Sequence, residues 1–276
     1  MNKCKVRMKT VNSISGGKSS AYIAAHYPAD YNLFSLVRTN DTNLLWQQGK
    51  DEKTRQLISD RIGVEFIGTL EDDMIIYTIL DLEQYIGREI KILTGKPYED
   101  ILKRKKGNFL PSKEGFRFCT TLLKILPIYR FLRKKKTGIV ETRIGFRADE
   151  KNRVEKKLFS LDDGIEFYRE IPYSIPKFPM WEDGIRKIDV NDFWKDKPVR
   201  FAFKNNCVGC FWRPEPLLNM MAQKYPDKME WFAEKEDNTN SRWKKGTTYR
   251  NIIKKQFTLE MDFDDFSECD YGSCTS

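Results

Sequence analysis

Residues 5–14, KVRMKTVNSI, read as a strand that runs without a linker into the turn Ser15-Gly16-Gly17-Lys18 and a short helix from Ser19 towards His26, closed by Pro28. No other feature restricts the fold as much, because a helix that follows a strand so closely has to fold back along it. The pattern then repeats. Residues 33–39 form a second strand, 49–62 a polar amphipathic helix ended by Gly63, and 64–67 a short third strand. Strands interleaved with helices at this spacing predict a parallel sheet with helices on both faces, a Rossmann-like α/β fold.

Further along, residues 71–87 have helical apolar spacing, and 95–115 form a polar Gly/Lys-rich loop carrying at most a short helix. In residues 120–133, Leu122, Ile125, Leu126, Tyr129 and Leu132 share one helical face, and Pro127 should kink that helix. Residues 138–144 are another core strand. The texture changes near residue 172, where IPYSIPKFPMW holds three prolines within eight residues and reads as an extended crossover. Helices follow at 215–225 and 228–236, the latter capped by Asp227 with Glu230. The expected organisation is a nucleotide-binding α/β domain over residues 1–175 and a mainly helical, cysteine-containing extension with an acidic tail over 176–276.

The 276 residues are 40% hydrophobic and 32% charged, which excludes a membrane protein and a fully disordered chain. There is no apolar run long enough to cross a bilayer and no secretory leader, so the expected location is the cytoplasm. With one histidine, His26, any site needing several imidazoles is ruled out within a single chain. Six cysteines in a cytoplasmic chain argue for metal binding or redox work over a disulfide framework.

The formal charge is +9, and setting aside the six acidic residues of the tail at 257–276 raises the remainder to +15. Basic runs stand at Lys103-Arg104-Lys105-Lys106, at Arg133-Lys134-Lys135-Lys136 and around residues 151–157. Such a surface attracts phosphate-rich partners: nucleotides, RNA or DNA. The same runs equally suit a solvated helix face.

Glycines between a strand and a helix let backbone N–H groups converge on an anion, and the helix N-terminus adds positive potential. Ser15, Ser19 and Ser20 add hydroxyls and Lys18 an ammonium group. The spacing is neither the GxxxxGK[ST] loop nor the dinucleotide fingerprint. SISGGKSS, residues 13–20, instead resembles the PP-loop, the SGGxDS pyrophosphate-binding motif of the adenine nucleotide alpha-hydrolase-like superfamily. Ser19 stands where that motif carries aspartate, a residue that lies near magnesium-bound phosphates in ATP-cleaving members.

Three further segments resemble the phosphoadenosine phosphosulfate (PAPS) reductase family within that superfamily. Arg117-Phe118-Cys119-Thr120-Thr121 with Lys124 is similar to R-x-C-T-x-x-L-K. Gly145-Phe146-Arg147-Ala148-Asp149-Glu150 with Arg153 is similar to G-I-R-x-x-E-S-x-x-R. Asn206-Cys207-Val208-Gly209-Cys210-Phe211 resembles a C-terminal extension of phage and mobile-element members.

The resemblance implies an adenine nucleotide, ATP or PAPS with magnesium, bound by Ser15, Gly16, Gly17, Lys18, Ser19 and Ser20. Arg143, Arg147 and Arg153 would contact phosphate or sulfate, and Thr39 the adenosine. Lys18 and Cys119 are the catalytic candidates. Thiolates without histidine suit an iron–sulfur cluster first and zinc second, with a reactive pair or no role as the remaining readings. The candidate ligands are Cys119, Cys207, Cys210, Cys269 and Cys274. Glu268-Cys269 shares only its first two residues with the ECGxH tail of thiol-dependent reductases, and Cys4 is incidental. The expected function is sulfur chemistry, either sulfonucleotide reduction or ATP-dependent adenylation followed by sulfur transfer, in an enzyme that is a homo-oligomer with no membrane contact. The alternative is a non-catalytic nucleotide- or nucleic-acid-binding accessory protein of a phage or mobile element.

Overall fold

The computed structural model describes residues 7–103, 109–112 and 117–255. Cys4, Cys269, Cys274, the acidic tail, and Arg104, Lys105 and Lys106 of the first basic run lie outside the described residues. In chain order the strands are β1 (Thr10–Ile14), β2 (Tyr31–Leu36), β3 (Arg38–Thr39), β4 (Gly68–Thr69), β5 (Ile90–Thr94), β6 (Val140–Arg143), β7 (Glu166–Tyr168) and β8 (Ile171–Lys177). Six of them form one sheet in the order β5-β2-β1-β6-β8-β7, parallel throughout except for the antiparallel edge strand β7. Strands β3 and β4 make a separate two-stranded ladder.

The helices are α1 (Lys18–His26), α2 (Glu52–Ile62), α3 (Met74–Ile86), α4 (Tyr98–Lys103), α5 (Phe118–Thr120), α6 (Leu126–Lys134), α7 (Lys151–Phe159), α8 (Pro179–Glu182), α9 (Lys187–Trp194), α10 (Glu215–Lys224), α11 (Pro226–Asp237) and α12 (Tyr249–Lys254). Alternation along the central strands sets the layers. Ile14, Phe34, Leu36 and Ile92 point to one face and pack with Ile23, Ile75, Ile79, Val190 and Trp194 of α1, α3 and α9. Val11, Leu33 and Val140 point to the other and pack with Tyr129 and Leu132 of α6. Helices cover both faces, as expected. A further core holds α10, α11 and α12 around Phe232, Trp243 and Tyr249.

From β1 the chain winds outward through β2 to β5, then returns to add β6 on the opposite side of β1. The order therefore reverses between β1 and β6, and a crevice opens outside the carboxyl ends of those two strands. Ligands of open α/β sheets bind at such a switch point.

Several elements differ from the sequence reading. The strand expected at 33–39 divides, and its last two residues pair with Gly68–Thr69, so no strand forms at 64–67. β5, which was not anticipated, forms because Ile90 and Ile92 bury against the α3 layer while pairing with Asn32 and Phe34. The proline-rich segment is no crossover but the interior strand β8. The Lys177 carbonyl accepts from the N–H of Ile144 of the β6 strand end at 2.9 Å, so alternation turns Pro172 and Pro176 towards β7, which is three residues long and shifted by a bulge.

The helix around Pro127 begins two residues early with α5 and passes through a π turn, Thr121–Ile125, before α6, which places Pro127 in the first turn of the regular helix. A widened turn just before the proline accommodates its missing N–H. α11 starts earlier, at Pro226 with Tyr225 in the N-cap position and no side-chain cap, so Asp227 with Glu230 does not cap it.

Candidate functional site

β1 delivers its chain to the crevice at Ser15. Gly16 has φ +81, and a Cβ there would stand 2.8 Å from Ile75 Cγ2, so the turn needs glycine for both conformation and space. The Ser15 N–H and hydroxyl both donate to Ser20 Oγ at 3.0 Å, and Ser20 Oγ donates to the Gly17 carbonyl at 3.0 Å. These two serines brace the turn. No acidic residue lies in the first turn of α1, so the positive end of its dipole faces the crevice uncompensated by its own sequence.

β6 delivers the second wall. Gly145 packs where a Cβ would be 3.0 Å from the Ser19 carbonyl carbon and from the Ser20 nitrogen, which lets the β6 loop lie directly on the start of α1. Arg147 donates from Nη1 to Ser19 Oγ at 2.9 Å and from Nε to Asp149 Oδ1 at 3.1 Å. Buried Glu150 accepts from the Arg147 N–H at 3.0 Å and pairs with Arg153. The Arg153 guanidinium lies 4.3 Å over the Phe146 ring, with its Nε buried and unpartnered.

α9 and residues 201–205 supply the third wall. Lys18 Nζ donates to Asn191 Oδ1 at 3.0 Å, and Trp194 Nε1 donates to the Lys18 carbonyl at 3.0 Å, which fastens α9 across the start of α1. The result is a cavity of about 370 Å³ whose walls include Gly16, Lys18, Ser19, Arg147, Phe203 and Lys204. That is within the ordinary range for small-molecule sites, roughly 300–1,000 Å³. An annex of about 30 Å³ shares Gly17, Ser19, Arg147 and Asn205 with it and reaches Ser15, Ser20 and Arg153.

Immediately after Asn205 the same segment turns into a second cavity. Cys119, Cys207 and Cys210 line it together with Tyr98, Arg117 and Lys124. The turn from Cys207 to Cys210 is closed by the Cys210 N–H donating to the Cys207 carbonyl at 3.1 Å. Arg213 Nη2 holds the Asn205 carbonyl at 2.6 Å, and Tyr249 donates its hydroxyl to the Gly209 carbonyl at 3.0 Å. Cys119 arrives from the first turn of the 118–134 helix. Buried Tyr98 hydrogen-bonds Cys119 and shares the cavity with Cys207 and Cys210. Burial pushes its phenol well above the ordinary value, and interaction with Cys119 and Cys207 pushes it further. Tyr98 therefore stays protonated and can donate to a thiolate. Among the described residues no three His, Cys, Asp or Glu side chains are grouped to hold a single metal ion.

Lys124 ties the two regions together. Its ammonium donates to Glu71 Oε1 and to Asn206 Oδ1, both at 3.0 Å, and Glu71 is buried with its other oxygen unpartnered. The neighbouring Asp72 accepts from Tyr225, whose phenol is pushed up by burial and then by this hydrogen bond.

Of the residues singled out in the sequence, Ser15, Gly16, Gly17, Lys18, Ser19, Ser20, Arg147 and Arg153 meet around one crevice, and Cys119, Cys207 and Cys210 around the adjoining cavity. Two stand elsewhere. Buried Thr39 bonds Glu99 and the Asp41 N–H, while Arg143 donates to the carbonyls of Tyr27 and Pro28 at 3.1 and 2.9 Å. Cys269 and Cys274 lie outside the described residues. His26 packs between Tyr22 and Phe193, and burial lowers its pKa. Asn191, Phe203, Lys204 and Asn205 were not singled out. For the last three, the only signal was their position directly before the Cys-x-x-Cys pair. Among the described residues, no helix is long and apolar enough to cross a membrane.

Neither a scan against protein-family models nor a search of curated proteins finds a match. Among solved structures, the U34-tRNA thiolase NcsA from Methanococcus maripaludis with its [4Fe-4S] cluster is similar to this chain at 14% identity and a TM-score of 0.39, over 93% of this chain and 83% of that one.

Proposed function

We propose that this protein is an adenine-nucleotide-dependent enzyme of sulfur chemistry, with the nucleotide phosphates in the Gly16–Ser19 crevice and sulfur handled at Cys119, Cys207 and Cys210. One observation carries the reading: residues 201–210 are a single continuous segment that walls the phosphate crevice at its start and supplies two of the three thiols at its end. A nucleotide anhydride held in the first cavity would thus abut a sulfur donor in the second. Phosphate oxygens would meet Lys18, Arg147 and the first N–H groups of α1, while Phe201 and Phe203 offer flat apolar surface to the rest of the nucleotide.

Three thiols around one cavity, with no histidine among its lining, are a donor set that fits an iron–sulfur cluster. Cys119, Cys207 and Cys210 would hold the cluster, which when bound supplies an iron without a protein ligand at which sulfide can be carried. The chain's own part is to fix the thiols. Arg213 and Tyr249 hold the Cys-x-x-Cys turn, Lys124 sets positive charge beside it, and Tyr98 keeps its proton and donates to sulfur.

A second reading, thiol-dependent reduction of a sulfonucleotide such as PAPS, is favoured by the cations of the crevice. There a thiolate would attack the sulfate sulfur, forming an S–S bond as the S–O bond to phosphate breaks. A second thiolate would then release sulfite and leave a disulfide.

Protein purified without oxygen should contain about four irons and four acid-labile sulfides per chain. Cys207→Ser and Cys210→Ser should each remove most of both. A chain that holds neither metal nor sulfide, yet releases sulfite from PAPS, would replace the first reading with the second.

A further inference from the structure

Magnesium and the phosphate crevice do not suit each other. Magnesium takes an octahedral set of oxygens and is normally anchored to protein by one or two carboxylates alongside substrate phosphates. No Asp or Glu appears among the described residues lining either the crevice or its annex. The side-chain oxygens that do face it are already occupied by N–H donors. Ser19 Oγ accepts from Arg147 at 2.9 Å, Asn191 Oδ1 from Lys18 at 3.0 Å, and Asn205 Oδ1 from Asn206 Nδ2 at 3.0 Å. Ser15 and Ser20 brace the turn with their hydroxyls.

Carboxylates bonded to wall residues are already engaged: Asp149 and Glu150 pair with Arg147 and Arg153, and Asp72 accepts from the Phe203 N–H at 3.2 Å, from the Met74 N–H at 3.0 Å and from the Tyr225 hydroxyl. A divalent ion placed on Ser19 Oγ would sit against a guanidinium and the positive end of α1. Lys18 and Arg147 on the same walls supply side-chain positive charge instead.

We propose that the crevice binds its nucleotide as a metal-free anion, with Arg147 and Lys18 taking the place of the divalent cation at the phosphates. The ligand class is an oligophosphate or phosphate–sulfate anhydride in its uncomplexed form. This inference rests on the nucleotide reading above. It also gives Ser19 a meaning, because the arginine N–H and an aspartate-held cation cannot both occupy that position.

Titration calorimetry on the full chain with ATP and PAPS as probes, in excess EDTA and in excess magnesium chloride, tests it. Affinity in EDTA should equal or exceed that in magnesium. Binding tighter by about tenfold or more in magnesium would overturn the proposal while leaving the nucleotide reading intact. Failure of both ATP and PAPS to bind in either buffer would overturn the nucleotide reading and this inference with it.

Arg147→Gln should weaken binding in EDTA by about tenfold or more, and magnesium should not restore it. Unchanged affinity in that variant would remove Arg147 from the role. Ser19→Asp, which places a carboxylate at the same point, should make ATP affinity rise with added magnesium, and an affinity indifferent to magnesium in that variant would count against the proposal.

Discussion

At the scale of single residues, the site depends on atoms that are not there. A Cβ on Gly209, between the two cysteines, would lie 2.4 Å from a Phe232 ring carbon, and Phe232 is fully buried among Trp231, Trp243 and Tyr98. Neither partner can yield cheaply. Gly209→Ala should cost about 1–3 kcal/mol, read as a lower urea midpoint, and should also reduce bound iron because the shift falls on the Cys-x-x-Cys turn. Gly16 is constrained in the same way by Ile75, with the added burden of positive φ. Ser19 shows the opposite lesson: as a letter it reads as a lost acidic residue, and in space it is the acceptor for Arg147.

Among the elements, β8 and the 118–134 helix show how tertiary contacts outweigh local preference. Two prolines would demote β8 to an edge strand, yet the backbone edge they spoil faces short β7 while the intact edge serves β6. The start of β1 is bound to that of β2 through Asp30, which accepts from the Thr10 N–H at 2.8 Å and from Lys9 at 2.9 Å. Burial alone would raise the Asp30 pKa, but the hydrogen bonds from Lys9 and Thr10 outweigh it and hold the value below the ordinary 3.8. A depressed carboxylate stabilises the fold fully above its unfolded-state pKa and loses that contribution as pH falls through the folded-state value. Melting temperatures below about pH 4 should therefore fall less steeply for Asp30→Asn than for the native chain.

Across the whole molecule, Glu71 joins the sheet to the cysteine cavity. It lies just before α3, its carboxylate holds Lys124 of the π turn, and its backbone bridges to Cys207. Lys124 in turn holds Asn206, so three distant stretches of chain converge on one partly buried ion pair whose carboxylate is fully buried. Removing one partner strands a buried charge. Lys124→Met should destabilise the protein by about 3–5 kcal/mol in urea unfolding, and Glu71→Gln with Lys124→Met should cost less than Lys124→Met alone. A double variant as damaged as the sum of the singles would mean that the pair does not act as a unit.

The sequence by itself determined the α/β class and the turn after β1. Glycine, proline and apolar spacing act over a few residues, and that is how they are read. It could not determine that Arg143 turns back to the end of α1 while Arg147 turns into the crevice, because one ends the strand and the other follows four residues later, and only the backbone direction at each separates them. Nor could it join residues 201–210 to two cavities, or pair Glu71 with Lys124 across 53 positions. Those arrangements come from the order in which strands add to the sheet. By putting β6 beside β1, the fold opens the crevice at the carboxyl ends of both strands, and packing α9 on α1 then brings Asn, Lys and Phe side chains to its wall.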